Sequence, residues 1–202
     1  MTGSLLVMAK APVPGRVKTR LCPPWTPAQA AGLAAAALAD TMDVVAASAA
    51  GERVLVVDGT YPAPPGWLLR AQSGGSLGER LADAFHGETT VLIGMDTPQL
   101  TVAHLNEALR MLTSADAVLG LAADGGWWAL GLRRPAHAAV LRDIPTSTPE
   151  TGTMTLNALL SMDLRVAMLP VLRDVDTAAD AYEVAAACPP HGRFARTLAA
   201  VR

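Results

Sequence analysis

The sequence predicts an α/β fold: a single-domain, mainly parallel sheet sandwiched by helices, with a small antiparallel insertion. Three observations carry that expectation. Short apolar runs alternate with longer segments of helical periodicity along most of the 202 residues, which is the pattern of βαβ units. Those runs are continuous rather than alternating, as in strands covered on both faces. Near 122–134 a loop passes straight into an apolar run with no helix before it, so the alternation breaks there and an irregular or antiparallel piece is expected.

The elements follow in order. Residues 4–10 read as a buried strand stopped by Pro12 and Pro14. A long helix is expected over 27–50, with Thr26 as N-cap, Pro27 in the first helical position, Gln29 completing a capping box and Gly51 as its stop. Residues 53–57 are a second strand ended by Asp58-Gly59. The stretch 59–76 is loop with one short strand near 67–69. Leu77, Leu81 and Phe85 share one face of a helix that Gly87 closes. Residues 90–95 form a strand, and Thr101 caps a helix that buries Val102, Leu105, Leu109 and Leu112. Strands follow at 117–121 and 127–132. Pro149 opens a helix to about Met162, 164–169 is a strand, and Thr177 caps a helix to about Ala187.

Bulk properties exclude several classes of function. Hydrophobic residues make up 51% and aromatic residues only 4%, so the core is built from Ala, Val and Leu. The formal net charge is −2; with no global basic field, long nucleic acid is not an expected partner. Two cysteines, Cys22 and Cys188, are too few for a disulfide framework and fit reduced thiols in a cytoplasmic protein. No secretion signal is expected at the N-terminus. No apolar run reaches the roughly 18 to 20 residues that cross a bilayer.

Charge is placed unevenly. Of the 16 Lys plus Arg, the only lysines are Lys10 and Lys18, and they flank Ala11-Pro12-Val13-Pro14-Gly15-Arg16-Val17. With Arg16 and Arg20 they crowd the end of the first strand. Such a cluster repels itself unless an anion sits in it, so a small phosphate-rich ligand is expected. The loop lacks the G-x-x-x-x-G-K-[ST] spacing of a P-loop. Carboxylates follow other strands: Asp96 before Thr97-Pro98, Asp124 before Gly125-Gly126, and Asp174 and Asp176 before Thr177. Parallel topology brings all of these to one rim, where such sheets bind ligands. Hard oxygen ligands beside phosphates suit Mg²⁺, with Mn²⁺ as a substitute. The segment Gly74-Gly75-Ser76-Leu77-Gly78-Glu79-Arg80 offers a weaker anion site at a helix start. Trp127 and Trp128 point to opposite faces of their strand. Scattered histidines suggest neither a zinc site nor a Ser-His-Asp triad.

These motifs together resemble the nucleotide-diphospho-sugar transferase superfamily with the GT-A fold, and within it the small bacterial selenodomain-associated transferase or glycosyltransferase-like proteins. The resemblance covers about residues 4–185. It rests on Met8-Ala9-Lys10-Ala11-Pro12 with Pro14-Gly15-Arg16-Val17-Lys18-Thr19-Arg20-Leu21, on Ile93-Gly94-Met95-Asp96-Thr97-Pro98-Gln99-Leu100, on Asp124-Gly125-Gly126-Trp127-Trp128-Ala129-Leu130-Gly131-Leu132, and on Leu172-Arg173-Asp174-Val175-Asp176-Thr177. It implies that Lys10, Ala11, Pro14, Gly15 and Arg16 bind the nucleotide, to which the helix-start site would add Gly78 and Arg80. It further implies that Lys18 and Arg20 neutralise its phosphates during catalysis, and that Asp96 and Asp176 hold the metal. Asp124, Gly125, Gly126 and Trp127 would border the acceptor. The chain departs from the pattern in two ways. An Asp-x-Asp form is absent around Asp96, and Met95 and Trp127 stand where relatives commonly have Ser and Tyr.

The reaction expected first is Mg²⁺-dependent nucleotidyl transfer from a nucleoside triphosphate to a small phosphorylated acceptor, with pyrophosphate release. The alternatives are glycosyl transfer from a nucleotide sugar, and a nucleotide-binding regulatory module without turnover. Neither nucleic acid nor a membrane is an expected partner.

Overall fold

The computed structural model describes residues 3–62 and 64–201; Met1, Thr2, Ala63 in the loop expected over 59–76, and Arg202 lie outside the described residues. The elements, in chain order, are β1 (Ser4–Lys10), α1 (Pro27–Ala46), β2 (Glu52–Asp58), β3 (Leu68–Ala71), α2 (Leu77–Ala84), β4 (Thr90–Gly94), α3 (Val102–Met111), β5 (Ala117–Leu121), β6 (Trp127–Leu132), α4 (Thr151–Ser161), β7 (Val166–Met168), α5 (Ala178–Ala187) and α6 (Arg193–Ala200). Two 3-10 stretches, Thr19–Leu21 and Pro135–Asp143, complete them.

The strands form one seven-stranded sheet in the order β3-β2-β1-β4-β6-β5-β7. Every neighbouring pair is parallel except those made by β6, which runs antiparallel between β4 and β5. The expected antiparallel insertion is therefore β6, entered from β5 by the 122–126 turn.

Both sheet faces are covered, as the continuous apolar strands require. Leu5, Val7, Leu55, Val91 and Ile93 pack against α1 and α3 through Ala34, Leu38, Leu105 and Ala108. Leu6, Val54, Val56, Leu92 and Leu130 pack the other way, against Leu81 of α2, Leu141 and Leu159 of α4. A third cluster lies on the far side of α1: Ala30, Leu33 and Ala37 meet Ala181 and Val184 of α5 and Phe194 and Leu198 of α6. Because α1 is buried on two sides, small alanines around its circumference let neighbours approach closely.

Local signals fix most element ends. The capping boxes at Thr26/Gln29 and Thr177/Asp180 are formed, and Ser76/Glu79 makes another. The last strand is Val166–Met168 rather than 164–169, and three helix ends differ from expectation. The first helix stops at Ala46, with Ala47 as C-cap rather than Gly51, where the Ser48 hydroxyl donates to the Val45 carbonyl. The second stops at Ala84, because Phe85 turns to extended backbone, instead of reaching Gly87. The fourth starts at Thr151 rather than at Pro149.

Candidate functional site

Parallel pairing puts the carboxyl ends of β1, β2, β3, β4, β5 and β7 on one edge of the sheet, and antiparallel β6 begins at that same edge. From β1 the sheet continues to β2 and β3 on one side and to β4 on the other. The loops after β1 and β4 therefore part, which is where open α/β sheets bind ligands. A cleft of about 620 Å³ lies at that point. Its lining includes Lys10, Arg16, Lys18, Arg20 and Arg80, and also Asp58, Asp96, Asp124, Asp174 and Asp176.

Lys18 organises the centre. Its backbone is left-handed, at φ 48° and ψ 41°, a conformation that costs an L-residue roughly 1–2 kcal/mol. The side chain is only 10% exposed. Its Nζ lies 3.0 Å from Asp96 Oδ2 and 3.1 Å from Asp176 Oδ1, and it also donates to the Val175 carbonyl. Burial alone would depress its pKa, but Asp96 and Asp176 outweigh it, so the ammonium titrates above the ordinary lysine value. Arg20 Nη1 reaches the other oxygen of Asp176 at 2.9 Å. The Val175 amide donates to the Asp96 carbonyl, which pins the 174–176 segment to the loop after β4. Lys10 sits 3.9 Å from Asp58 at the rim.

Beside these cations, Asp124, Asp174 and Asp176 offer carboxylate oxygens within 4.8 Å of one another. The pKa of Asp174 is pushed up to about 6, first by burial and then by the Asp124 charge, with Asp176 adding to it. One oxygen of Asp96, Oδ1, is buried without a hydrogen-bond partner. A set of three close carboxylates in mutual repulsion fits a divalent cation with hard oxygen preference.

The sequence-predicted residues fall into two groups. Lys10, Arg16, Lys18, Arg20, Arg80, Asp96, Asp124, Gly126, Trp127 and Asp176 all line the cleft; Ala11, Pro14, Gly15, Gly78 and Gly125 do not. Gly78 is a packing glycine: a Cβ there would stand 2.4 Å from the Leu141 carbonyl oxygen. Gly125 has φ +91°, and a Cβ would come within 1.9 Å of the Pro149 carbonyl oxygen. Asp176, expected to share a metal with Asp96, is bridged to Asp96 by Lys18, and Asp124 and Asp174 are its carboxylate neighbours. Trp128 is buried, with its indole N–H donating to Pro170 at 2.9 Å, whereas Trp127 borders the cleft.

Sequence reasoning missed Gln72, Thr97 and the 146–148 segment. Gln72 directly follows β3 at the same rim, so position alone could have found it. Its Nε2 donates to the Ala9 carbonyl at 2.7 Å, and its Oε1 accepts from Arg80 at 3.0 Å. Ser147, at φ 62°, lines the cleft from an irregular loop that carries no sequence signal.

The family described as "Uncharacterized protein conserved in bacteria (DUF2064)" matches residues 32–148. No curated protein matches the chain. Among solved structures, a protein of Desulfovibrio desulfuricans G20 provisionally named a nucleotide-diphospho-sugar transferase is 29% identical. It superposes with a TM-score of 0.79 over 88% of this chain and 84% of that one. The manganese complex of Rv0371c from Mycobacterium tuberculosis H37Rv is 22% identical, with a TM-score of 0.56 over 91% and 98%. A 2-C-methyl-D-erythritol 4-phosphate cytidylyltransferase of Thermus thermophilus is 14% identical, with a TM-score of 0.53 over 98% and 99%; these last two likenesses concern the fold alone. The fold is thus that of the nucleotide-diphospho-sugar transferase-like proteins, as the motifs imply.

Proposed function

The chain belongs to the bacterial DUF2064 family, and from its fold and the geometry of its cleft we propose that it is a divalent-metal-dependent nucleotidyltransferase acting on a nucleoside triphosphate and a small phosphorylated acceptor. One observation carries this reading. Cations from the loop after β1 share a single cleft with carboxylates from the loops after β4, β5 and β7, Lys18 and Arg20 being paired directly with Asp96 and Asp176. That division matches what phosphoryl chemistry needs: positive charge for the polyphosphate and hard oxygens for a metal.

The triphosphate lies along Lys10, Arg16, Lys18 and Arg20. An acceptor phosphate oxygen attacks the α-phosphorus, the bond to the bridging oxygen breaks, and pyrophosphate leaves with the charge that Lys18 and Arg20 stabilise. No protein nucleophile is required. Asp124, Asp174 and Asp176 would hold Mg²⁺ or Mn²⁺, with Asp96 beside them, and the ion would neutralise phosphate charge. Lys18 is shared between Asp96 and Asp176 in the ligand-free protein. Phosphate oxygens would compete for it, and a divalent ion held by Asp124, Asp174 and Asp176 would offset the carboxylate charge it leaves.

Glycosyl transfer from a nucleotide sugar is the second reading, favoured by the name of the Desulfovibrio protein. Both are tested by incubating the protein with Mg²⁺, nucleoside triphosphates or nucleotide sugars, and candidate acceptors. Pyrophosphate release supports nucleotidyl transfer. Release of a nucleoside diphosphate supports glycosyl transfer. Tight nucleotide binding with no metal-dependent product would leave a regulatory module.

A further inference from the structure

A second opening lies at the β3 edge of the sheet: a recess of about 340 Å³ between β3 and α2, whose lining includes Arg70, Ser73, Arg80, Asp83 and Ala84. We propose that this recess is a separate anion site, in which the guanidinium groups of Arg70 and Arg80 hold the phosphate group of a small effector molecule. The site itself stands apart from the transferase reading; only its effect on the nucleotide, argued below, rests on that reading.

The fold brings the two arginines to one opening. Arg70 is in register with Val56 of the neighbouring strand, so both side chains leave the sheet on the face covered by α2. Arg70 Nη1 donates to the Ala84 carbonyl at 3.2 Å and meets His86 Nδ1 at 2.5 Å. Those bonds anchor the group at the C-terminal end of α2 and leave Nη2 and Nε over. Arg80 comes from α2 itself. Its Nη1 donates to Gln72 Oε1 at 3.0 Å, while its Nε is buried with no partner, a rare state for a buried donor. Among the described residues neither guanidinium has a carboxylate partner. The one carboxylate in the lining, Asp83, is already bonded by the Ser73 hydroxyl and by Arg142, which hold it below the ordinary carboxyl range. Two half-buried cations at one opening repel each other unless an anion joins them.

The donors identify the ligand. A guanidinium only donates hydrogen bonds and matches oxyanions with its planar fork. One fork saturates a single carboxylate, whose two oxygens share a plane. Two forks, one from the strand and one from the helix, suit a tetrahedral phosphate, whose oxygens do not. Arg80 alone could serve the cleft, which it also lines; Arg70 lines only the recess, so the pair points to a ligand there. The shared arginine gives the site a consequence. Gln72, which holds Arg80, also donates to the Ala9 carbonyl of β1 at 2.7 Å and borders the cleft. A phosphate in the recess draws Arg80 away from a nucleotide in the cleft, so each ligand weakens the other by the same factor.

The test uses the full protein with its arginines labelled with ¹⁵N. It follows the Nε–H signals of Arg70 and Arg80, assigned with Arg70→Lys and Arg80→Lys. Inorganic phosphate, malonate and sodium chloride are titrated at matched ionic strength into wild type and into Arg20→Ala, whose cleft is weakened. Phosphate should move the Arg70 signal saturably and with equal affinity in both proteins. Malonate should bind roughly tenfold more weakly, the size of one lost charge-assisted bond, and chloride should not saturate. An unmoved Arg70 signal, a response lost in Arg20→Ala, or an equal response to chloride would overturn the site. Malonate binding as tightly as phosphate would overturn the choice of ligand. The coupling is read by titration calorimetry with nucleoside triphosphates. With phosphate present, Arg70→Gln should bind them roughly fivefold more tightly than wild type, and the two should agree when phosphate is absent. Equal affinities in phosphate would overturn the coupling. If no triphosphate binds either protein while the Arg70 signal still responds to phosphate, the transferase reading fails and the recess stands.

Discussion

Lys18 and Arg20 belong to the same loop yet differ physically, and that difference makes predictions at the scale of the residue. The Arg20 side chain is 72% exposed, so Arg20→Ala should change stability by less than about 0.5 kcal/mol. Titration calorimetry should nevertheless find triphosphate affinity about tenfold lower, the size of one charge-assisted bond. Lys18→Met leaves Asp96 without its cation and Asp176 with Arg20 alone. It should lower both nucleotide affinity and stability, the latter by roughly 1–3 kcal/mol, less than for a wholly buried pair because both carboxylates keep some exposure. The partnership of Lys18 with two aspartates was not legible, since charge spacing along the chain does not reveal pairs 78 and 158 positions apart. Asp174 makes a third case. Its folded pKa, raised to about 6, means that the folded state holds its proton more tightly than the unfolded state does. Ionising it therefore costs stability as pH rises from about 4 to about 6. Metal-free Asp174→Asn should melt higher than wild type at pH 7, and the gain should vanish as pH falls toward 4. Melting curves across that range check it.

At the scale of the element, the sequence was most informative where a run was long and its signals agreed. The 27–46 helix shows this, with its cap, proline and capping box adjacent in the chain. Ends were harder: Phe85 keeps the helical spacing of Leu77 and Leu81 but turns extended to bury its ring, which periodicity cannot reveal. The Pro135–Asp143 turn and α6 drew no expectation, because the first is irregular and the second buries only Phe194 and Leu198. Gly78 carries the prediction at this scale. It lies where α2 packs on the Pro135–Asp143 turn, so Gly78→Ala must push Leu141 away and should destabilise by about 1–3 kcal/mol. Denaturant unfolding would show it; an unchanged midpoint would mean that the two elements can separate freely.

For the whole molecule, one topological fact organises the site: six strand ends and the start of β6 share a rim. The alternation of runs made the parallel sheet readable and, through it, the convergence of Lys18, Asp96, Asp124 and Asp176. It did not reveal strand order, so the position of β6 between β4 and β5, which brings Trp127 beside Asp96 and Asp124, emerged only in three dimensions. Among the described residues no helix is long and apolar enough to cross a membrane. The central claim is that cations and carboxylates across this cleft jointly bind a nucleotide and a metal. It is tested most directly by melting the protein with nucleoside triphosphates, each with and without Mg²⁺, since a ligand that binds only the folded state raises its melting temperature. The account predicts stabilisation by at least one triphosphate that depends on Mg²⁺ and is lost in Arg20→Ala. No shift with any triphosphate, with or without metal, would contradict it.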